Sequence, residues 1–127
     1  MTTIAPWLSV TDATAAVAFY QEAFGATPGE VADSGGGVIE VAELFIGDAA
    51  FWVQRDGDLP PDAAPAQLVR MIVIVPDPDA AFARAIATGA SELAAMHEEH
   101  GWRTGRLADP FGHQWEFARR TGSADLS

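Results

Sequence analysis

The sequence predicts an α+β fold in which one β-α-β-β(-β) pattern occurs twice within a chain of 127 residues. A helix-opening motif at Val10–Ala16 recurs 65 residues later as Val75–Ala81. Strand-like segments flank both copies, and a segment rich in proline and aspartate at 55–66 separates them. We therefore predict a single domain over 1–127, with module one at about 1–57 and module two at about 67–120.

In the first half, Asp12 is placed to cap a helix that ends at Gly25, because Asp accepts from free backbone N–H groups and Gly suits the left-handed C′ position. Residues 47 and 48 predict a hairpin turn. The triple glycine at 35–37 is interpreted as a flexible connection, since no strand-to-helix context for a phosphate loop surrounds it. The predicted strands cover 3–9, 38–46 and 49–54, with a further candidate at 27–32.

The second half repeats this arrangement. Asp77 is the predicted N-cap of a helix that ends at Gly89, and Pro78 occupies the first helical position, where a missing N–H costs nothing. An Asp-Pro-x-Gly sequence at 109–112 predicts a tight turn between the last two strands. The predicted strands cover 68–75, 91–95, 103–108 and 114–119, and the polar tail from Thr121 is expected to fray.

Composition limits the classes of partner. The chain has 18 acidic residues, seven arginines, no lysine and a net charge of −11, so nucleic acid and anionic membranes are unfavourable partners. It lacks cysteine, which excludes disulfides and thiolate sites. It contains no long apolar run and no leader-like N-terminus, and a cytoplasmic location is expected. The acidic charge either attracts cationic small molecules or serves solubility alone.

Glu116 is the unusual residue of the last predicted strand. It stands within an alternating segment where a half-buried strand more often carries an apolar residue. Either it faces solvent, or it faces inward toward a metal, a cation, a hydrogen-bond network or water.

Three motifs span nearly the whole chain. They are Val10-x-Asp12-x-x-x-Ala16-x-x-Phe19-Tyr20-x-x-x-Phe24-Gly25-Ala26, Ala42-Glu43-Leu44-x-Ile46-Gly47-Asp48 and Gly105-Arg106-x-x-Asp109-Pro110-Phe111-Gly112-x-x-Trp115-Glu116. In this order they resemble the vicinal oxygen chelate superfamily, which includes glyoxalase I, extradiol dioxygenases and the bleomycin-resistance proteins. The resemblance implies two βαβββ modules whose mixed sheets curl around an open cavity, in a homodimer.

The resemblance also implies four metal-ligand positions, one on each of four strands. In this sequence they correspond to Ala5, to Phe51 or Trp52, to Arg70 and to Glu116. Only the last can bind a divalent ion, because alanine and aromatic rings cannot coordinate and arginine stays protonated. The chain thus resembles the metal-free, bleomycin-resistance-like branch, and we expect no metal and no cofactor.

Aromatic side chains lie at or near the positions that the metal-binding residues would occupy. Trp7 shares a strand face with Ala5, either Phe51 or Trp52 also points inward, and Arg70 is placed to pair with Glu116 across the former metal position. These residues describe a site for a planar or amphipathic organic molecule. Alternatively, the rings fill a collapsed cavity. The predicted ligand-binding residues are Trp7, Phe51, Trp52, Arg70, Trp102 and Glu116.

The segment 96–103 is interpreted as a solvated loop. Its residues 97–100, His-Glu-Glu-His, could form a surface metal site, although their spacing is not that of a zinc hydrolase. Trp102 on such a loop would be a lid over the cavity or part of a subunit contact. His113, inside the tight turn, either stabilises that turn or acts as an acid–base group.

Two functions follow as hypotheses. The favoured one is a metal-free binding protein that sequesters an aromatic natural product or drug, cationic or neutral, and so confers antibiotic resistance. The alternative is a glyoxalase-like lyase or isomerase, or a dioxygenase-related enzyme, that uses Glu116 with His113 or an unrecognised metal. The predicted partners are a small organic ligand and a second copy of the chain.

Overall fold

The computed structural model of the chain describes residues 3–59 and 69–122. It contains two compact units, Met1–Ala63 and Ala64–Ser127. Each has the order strand, helix and three strands, which confirms the predicted α+β fold with a repeated β-α-β-β-β pattern. Most of the predicted linker at 55–66, the start of the strand predicted from Leu68, and most of the tail after Thr121 lie outside the described residues.

The first unit has a four-stranded mixed sheet. The candidate strand at 27–32 is present, and the triple glycine that follows it adopts positive φ at all three positions in the turn before the next strand. The strand order is β1-β4-β3-β2, in which β1 runs parallel to β4 and the other pairs are antiparallel. The elements are β1 Trp7–Val10, α1 Ala13–Phe24, β2 Thr27–Asp33, β3 Ile39–Ile46 and β4 Ala49–Arg55.

The second unit repeats this topology with the order β5-β8-β7-β6, again with one parallel pair, β5 with β8. Its elements are β5 Arg70–Ile74, α2 Pro78–Thr88, β6 Ser91–Glu99, β7 Trp102–Ala108 and β8 Gln114–Arg120.

Both helices begin as predicted. The Asp12 carboxylate accepts from the Ala15 N–H at 3.0 Å, and the Asp77 carboxylate accepts from the Ala80 N–H at 3.1 Å. Gly25 ends α1 in the left-handed conformation with φ of 68°. Gly89 ends α2 with φ of 128°, outside that conformation, and its N–H bonds to carbonyls of the last helical turn. Within the described ranges, neither helix has the length and apolar character needed to cross a membrane.

One face of each sheet packs against its own helix. In the first unit Phe51 lies edge-on to Tyr20, with ring centroids 5.5 Å apart. In the second unit Gly105 lets the sheet approach α2, since a Cβ there would sit 3.1 Å from the Phe82 ring and 2.5 Å from the Met96 sulfur. The opposite faces, called here the first open face and the second open face, are not covered by α1 or α2.

The predicted loop at 96–103 was wrong. β6 continues to Glu99 and β7 begins at Trp102, so only His100 and Gly101 connect them. Both have positive φ, 50° and 80°, as the type I′ turn of a two-residue hairpin requires. The polar composition of this segment belongs to an exposed hairpin, in which neighbouring side chains alternate between the two faces.

Candidate functional site

The first open face carries a stacked pair of indoles. Pairing of the parallel strands β1 and β4 places Trp7 directly opposite Trp52, and their rings lie 5.7 Å apart with 21° between the planes. The Trp7 indole N–H donates to the Gln54 side-chain oxygen at 2.8 Å. The rings are therefore held in place although Trp7 is 53% exposed.

The structure shows which aromatic residue of β4 lies beside Trp7 on the first open face. Phe51 is 3% exposed and packs into the core against Tyr20 on α1. Because neighbouring strand residues point to opposite faces, Trp52 lies on the first open face. The stacking position belongs to Trp52, and the Phe51 side chain lies on the opposite, helix-facing side of the sheet.

A groove of about 400 Å³ lies beside Trp52. Since β4 lies between β1 and β3 in the sheet, Trp7 flanks Trp52 on one side and the groove extends over β3 and β2 on the other. The groove thus has an aromatic wall, apolar sides and a carboxylate. It is lined by Glu30, Val31, Ala32, Val41 and Trp52.

The groove has a strongly acidic setting. Glu43 stands directly opposite Trp52 in the β3–β4 pairing, and its Oε1 accepts from the Glu30 backbone N–H at 3.4 Å. Residues 1–63 hold ten of the 18 acidic residues and one of the seven arginines, a formal charge of −9. That arginine, Arg55, lies 3.4 Å from Glu40. Neither Glu30 nor Glu43 has an ion-pair partner among the residues described.

In the second unit, Arg70 and Glu116 form the predicted ion pair. Arg70 Nε donates to Glu116 Oε1 at 2.7 Å, and the Thr104 hydroxyl donates to Glu116 Oε2 at 2.5 Å. The Glu116 side chain is 16% exposed. Burial alone would raise the pKa of Glu116, but the Thr104 hydrogen bond and the charges of Arg70 and Arg106 hold this pKa below its ordinary value.

Sequence reasoning missed Arg106. It lies opposite Glu116 in the β7–β8 pairing, on the second open face with Thr104. Its Nε is buried and has no hydrogen-bond partner among the described residues. Alternation along the predicted strand 103–108 already placed Thr104 and Arg106 on one face. This feature of the sequence could have identified Arg106 as a site residue.

The four positions that the resemblance assigns to metal ligands do not fit a divalent ion. The Ala5 side chain has no donor atom, Trp52 presents an indole, and Arg70 is a cation bonded to Glu116. Glu116 already accepts bonds at both oxygens. One engaged carboxylate beside a guanidinium repels a metal rather than binding it.

The remaining aromatic candidate, Trp102, begins β7. Its ring lies under the Arg120 guanidinium, with the carbon of that group 4.5 Å from the ring centroid. It is therefore part of a strand and not of a mobile loop, and its place in a binding site stays a prediction.

The histidine-rich segment also forms part of the β6–β7 hairpin. His97 contacts the Ala95 carbonyl at 2.7 Å and Glu99 at 3.4 Å, and these two acceptors raise the pKa of His97. Glu98 points to the other face by alternation. Throughout 3–59 and 69–122, no group of three or more His, Asp or Glu side chains is arranged to hold a metal.

The turn before β8 is organised by Asp109. Its buried carboxylate accepts from the Phe111 N–H at 2.8 Å, from the His113 N–H at 3.0 Å and from the Trp115 indole at 2.9 Å. The His113 backbone is thus part of the Asp-Pro-x-Gly turn. These are contacts of the backbone, so the role of the His113 side chain stays a prediction.

Known proteins resemble this chain in sequence and in fold. The sequence matches the glyoxalase-like domain family over residues 5–118. An uncharacterised protein of Mycobacterium bovis is 34% identical over 127 residues, which cover 91% of this chain and 82% of that protein. TioX from Micromonospora sp. ML1 is 28% identical, with a TM-score of 0.74 and coverage of 94% of this chain and 99% of TioX. FosX, a fosfomycin resistance protein from Listeria monocytogenes, shares the fold at 15% identity, with a TM-score of 0.75 and coverage of 99% and 98%.

Proposed function

This chain belongs to the glyoxalase-like domain family of the vicinal oxygen chelate superfamily, and from that premise we propose that it is a metal-free binding protein for an aromatic small molecule. The ligand is a natural product or drug, cationic or neutral, and its sequestration would confer resistance, as in the bleomycin-resistance proteins. The observation that carries this proposal is the stacked Trp7–Trp52 pair beside the groove of about 400 Å³.

The groove has the chemistry of a small-molecule site. Pockets for such ligands commonly measure about 300–1,000 Å³ and combine apolar walls with a few polar groups. Here Trp52 offers an aromatic face, while Val31, Ala32 and Val41 offer apolar contacts. Trp7 stacks on Trp52, and Gln54 holds Trp7 in place. The protein would therefore lose little conformational freedom when a planar ligand stacks on the Trp52 ring.

Charge favours a cationic form of the ligand. Glu30 lines the groove and Glu43 adjoins its aromatic wall, and neither is neutralised by an arginine of the described segments. A cation over the indole would gain from the ring quadrupole and from both carboxylates. The formal charge of −9 in residues 1–63 would also speed its capture.

The enzymatic alternative would require Glu116 as a general base. Arg70 and Thr104 engage both of its oxygens, and the lowered pKa makes it a weaker base. The geometry of this residue therefore favours binding over catalysis.

The proposal is tested by titrating the purified protein with matched planar dyes, one cationic and one neutral, while tryptophan fluorescence is recorded. Saturable quenching is expected, stronger for the cation, and lost in Trp52→Ala. Leu93→Ala, which truncates an exposed apolar side chain on β6 of the second unit, serves as the control and should bind as the parent does. Linear quenching without saturation, or an unchanged dissociation constant in Trp52→Ala, would overturn the proposal.

A resistance role is tested in cells. Expression of the chain should raise the inhibitory concentration of a toxic ligand found in this way, and the Trp52→Ala variant should not.

A further inference from the structure

The second open face contains more positive charge than its own residues neutralise. Arg70 and Arg106 both act on Glu116, the first through a 2.7 Å hydrogen bond and the second from the neighbouring strand. One carboxylate balances one of these guanidinium groups. Arg106 forms no ion pair within the described parts of the chain.

The Arg106 guanidinium also has an unused buried donor. Its Nε is shielded from solvent and has no acceptor, whereas buried polar groups in folded proteins are nearly always hydrogen-bonded. The Thr104 hydroxyl and the Arg70 Nε, which flank Glu116, already donate to that carboxylate. The missing partner of Arg106 is therefore an acceptor, and a negatively charged one fits best.

An apolar surface adjoins these arginines. Ile72 and Ile74 alternate with Arg70 along β5, so all three point to the second open face. Ile72 lies directly opposite Glu116 in the β5–β8 pairing. The two isoleucines are 53% and 65% exposed, which makes them available to the apolar part of a ligand.

We propose that Arg106, with Arg70, Ile72 and Ile74, forms a second ligand site that binds a small organic carboxylate. The carboxylate accepts from the terminal nitrogens of the Arg106 guanidinium, whose Nε is shielded from solvent, and from the Arg70 nitrogens that do not bond Glu116. The hydrocarbon part of the ligand lies against the isoleucines. This site has the opposite charge preference from the groove of the first unit and does not depend on the function proposed for that groove.

The experiment uses the full chain, with benzoate as the probe and neutral benzamide as its matched control. NMR spectra of the arginine Nε–H groups are recorded during both titrations. Benzoate should shift the Arg106 Nε–H resonance in a saturable way, because the terminal nitrogens of the same guanidinium gain a charged acceptor, and benzamide should not. Acetate, which lacks the ring, should bind more weakly than benzoate if the isoleucines contribute.

Variants locate the site. Arg106→Gln should weaken benzoate binding by about tenfold, the loss of one charge-assisted contact. Arg119→Gln removes the same charge from an exposed position on β8 and should leave binding unchanged. Glu116→Gln should strengthen binding, since it releases Arg70 and Arg106 from a competing carboxylate.

Titration of the parent protein is by itself sufficient to refute the proposal. A benzoate titration that leaves the Arg106 Nε–H resonance unmoved, or equal shifts with benzamide, would refute it even if Arg106→Gln failed to fold. Equal weakening by Arg106→Gln and Arg119→Gln would show a general effect of the protein's net charge and would refute a specific site.

Discussion

Trp7 stacks on Trp52 from the neighbouring strand, and its indole N–H is fixed by the Gln54 side chain at 2.8 Å. The aromatic wall of the groove is therefore formed before any ligand arrives. Pre-formed rings cost little entropy on binding and present a flat surface of defined orientation. The roles of the two indoles can be distinguished by mutation, because only Trp52 of the pair lines the groove.

Replacing Trp7 by Ala should weaken binding of a planar ligand by roughly 1–3 kcal/mol, the range for a lost aromatic contact and its buried area. Trp52→Ala should cost more, since it removes the wall itself. Calorimetric titration of both variants with one ligand measures the two losses. A Trp7→Ala protein that binds as tightly as the parent would contradict the supporting role given to Trp7.

Glu43→Gln should weaken binding of a cationic ligand by about 1 kcal/mol and leave binding of a neutral analogue nearly unchanged, because a solvent-exposed ion pair contributes at most about that much. Asp48→Asn makes the same charge change in the exposed β3–β4 turn and controls for the overall field of the unit. Equal losses in the two variants would assign the effect to net charge rather than to Glu43.

The repeated fold could be predicted from local features of the sequence. Asp12, Asp77 and the glycines that end the helices act within a few residues along the chain, so the sequence contains them directly. The β6–β7 hairpin was missed because its turn, His100-Gly101, lies in a segment whose charges suggested a loop. The positive φ of His100 at that turn is less usual for a residue other than glycine.

The contacts of the candidate site could be predicted from the sequence only in part. The Arg70–Glu116 pair was predicted through the resemblance, and the structure shows it. The choice between Phe51 and Trp52 required the strand register. The proximity of Glu43 to Trp52 and of Arg106 to Glu116 depends on pairing between strands, and such pairing has no signal within either strand alone.

We also propose that the chain forms a homodimer. Each sheet ends in edge strands, β1 and β2 in one and β5 and β6 in the other, and unpaired edges favour assembly. The resemblance implies pairing about a two-fold axis, which makes the contact self-complementary. Sedimentation at micromolar concentration should give about twice the chain mass of 13.4 kDa. A mass that stays at the monomer value as concentration rises would contradict this.

The protein should bind no divalent ion through Glu116. Arg70 supplies the positive charge at that carboxylate, and Thr104 holds its second oxygen. Elemental analysis after incubation with Zn²⁺, Ni²⁺ or Mn²⁺ and desalting should show substoichiometric metal. A stoichiometric ion that is lost in Glu116→Gln would contradict the prediction, while an ion kept by that variant would lie elsewhere.

The Glu116 cluster should make stability depend on pH in the acidic range. Because the folded protein holds the pKa of Glu116 below its ordinary value of 4.5, the carboxylate stabilises the fold above that value. The contribution falls as pH drops through 4.5 and is lost below the lowered folded-state pKa. Since Arg70 is 43% exposed and screened by solvent, we expect a contribution of about 1 kcal/mol at pH 7.

Denaturant unfolding of the parent and of Glu116→Gln between pH 3 and 7 measures this contribution. The variant should be less stable at neutral pH, and the gap should close as the parent carboxylate becomes protonated. Asp48→Asn, a change at an exposed turn, should follow the parent curve. A gap of constant size at all pH values would mean that Glu116 acts through packing alone, because a contribution from charge must disappear with the charge.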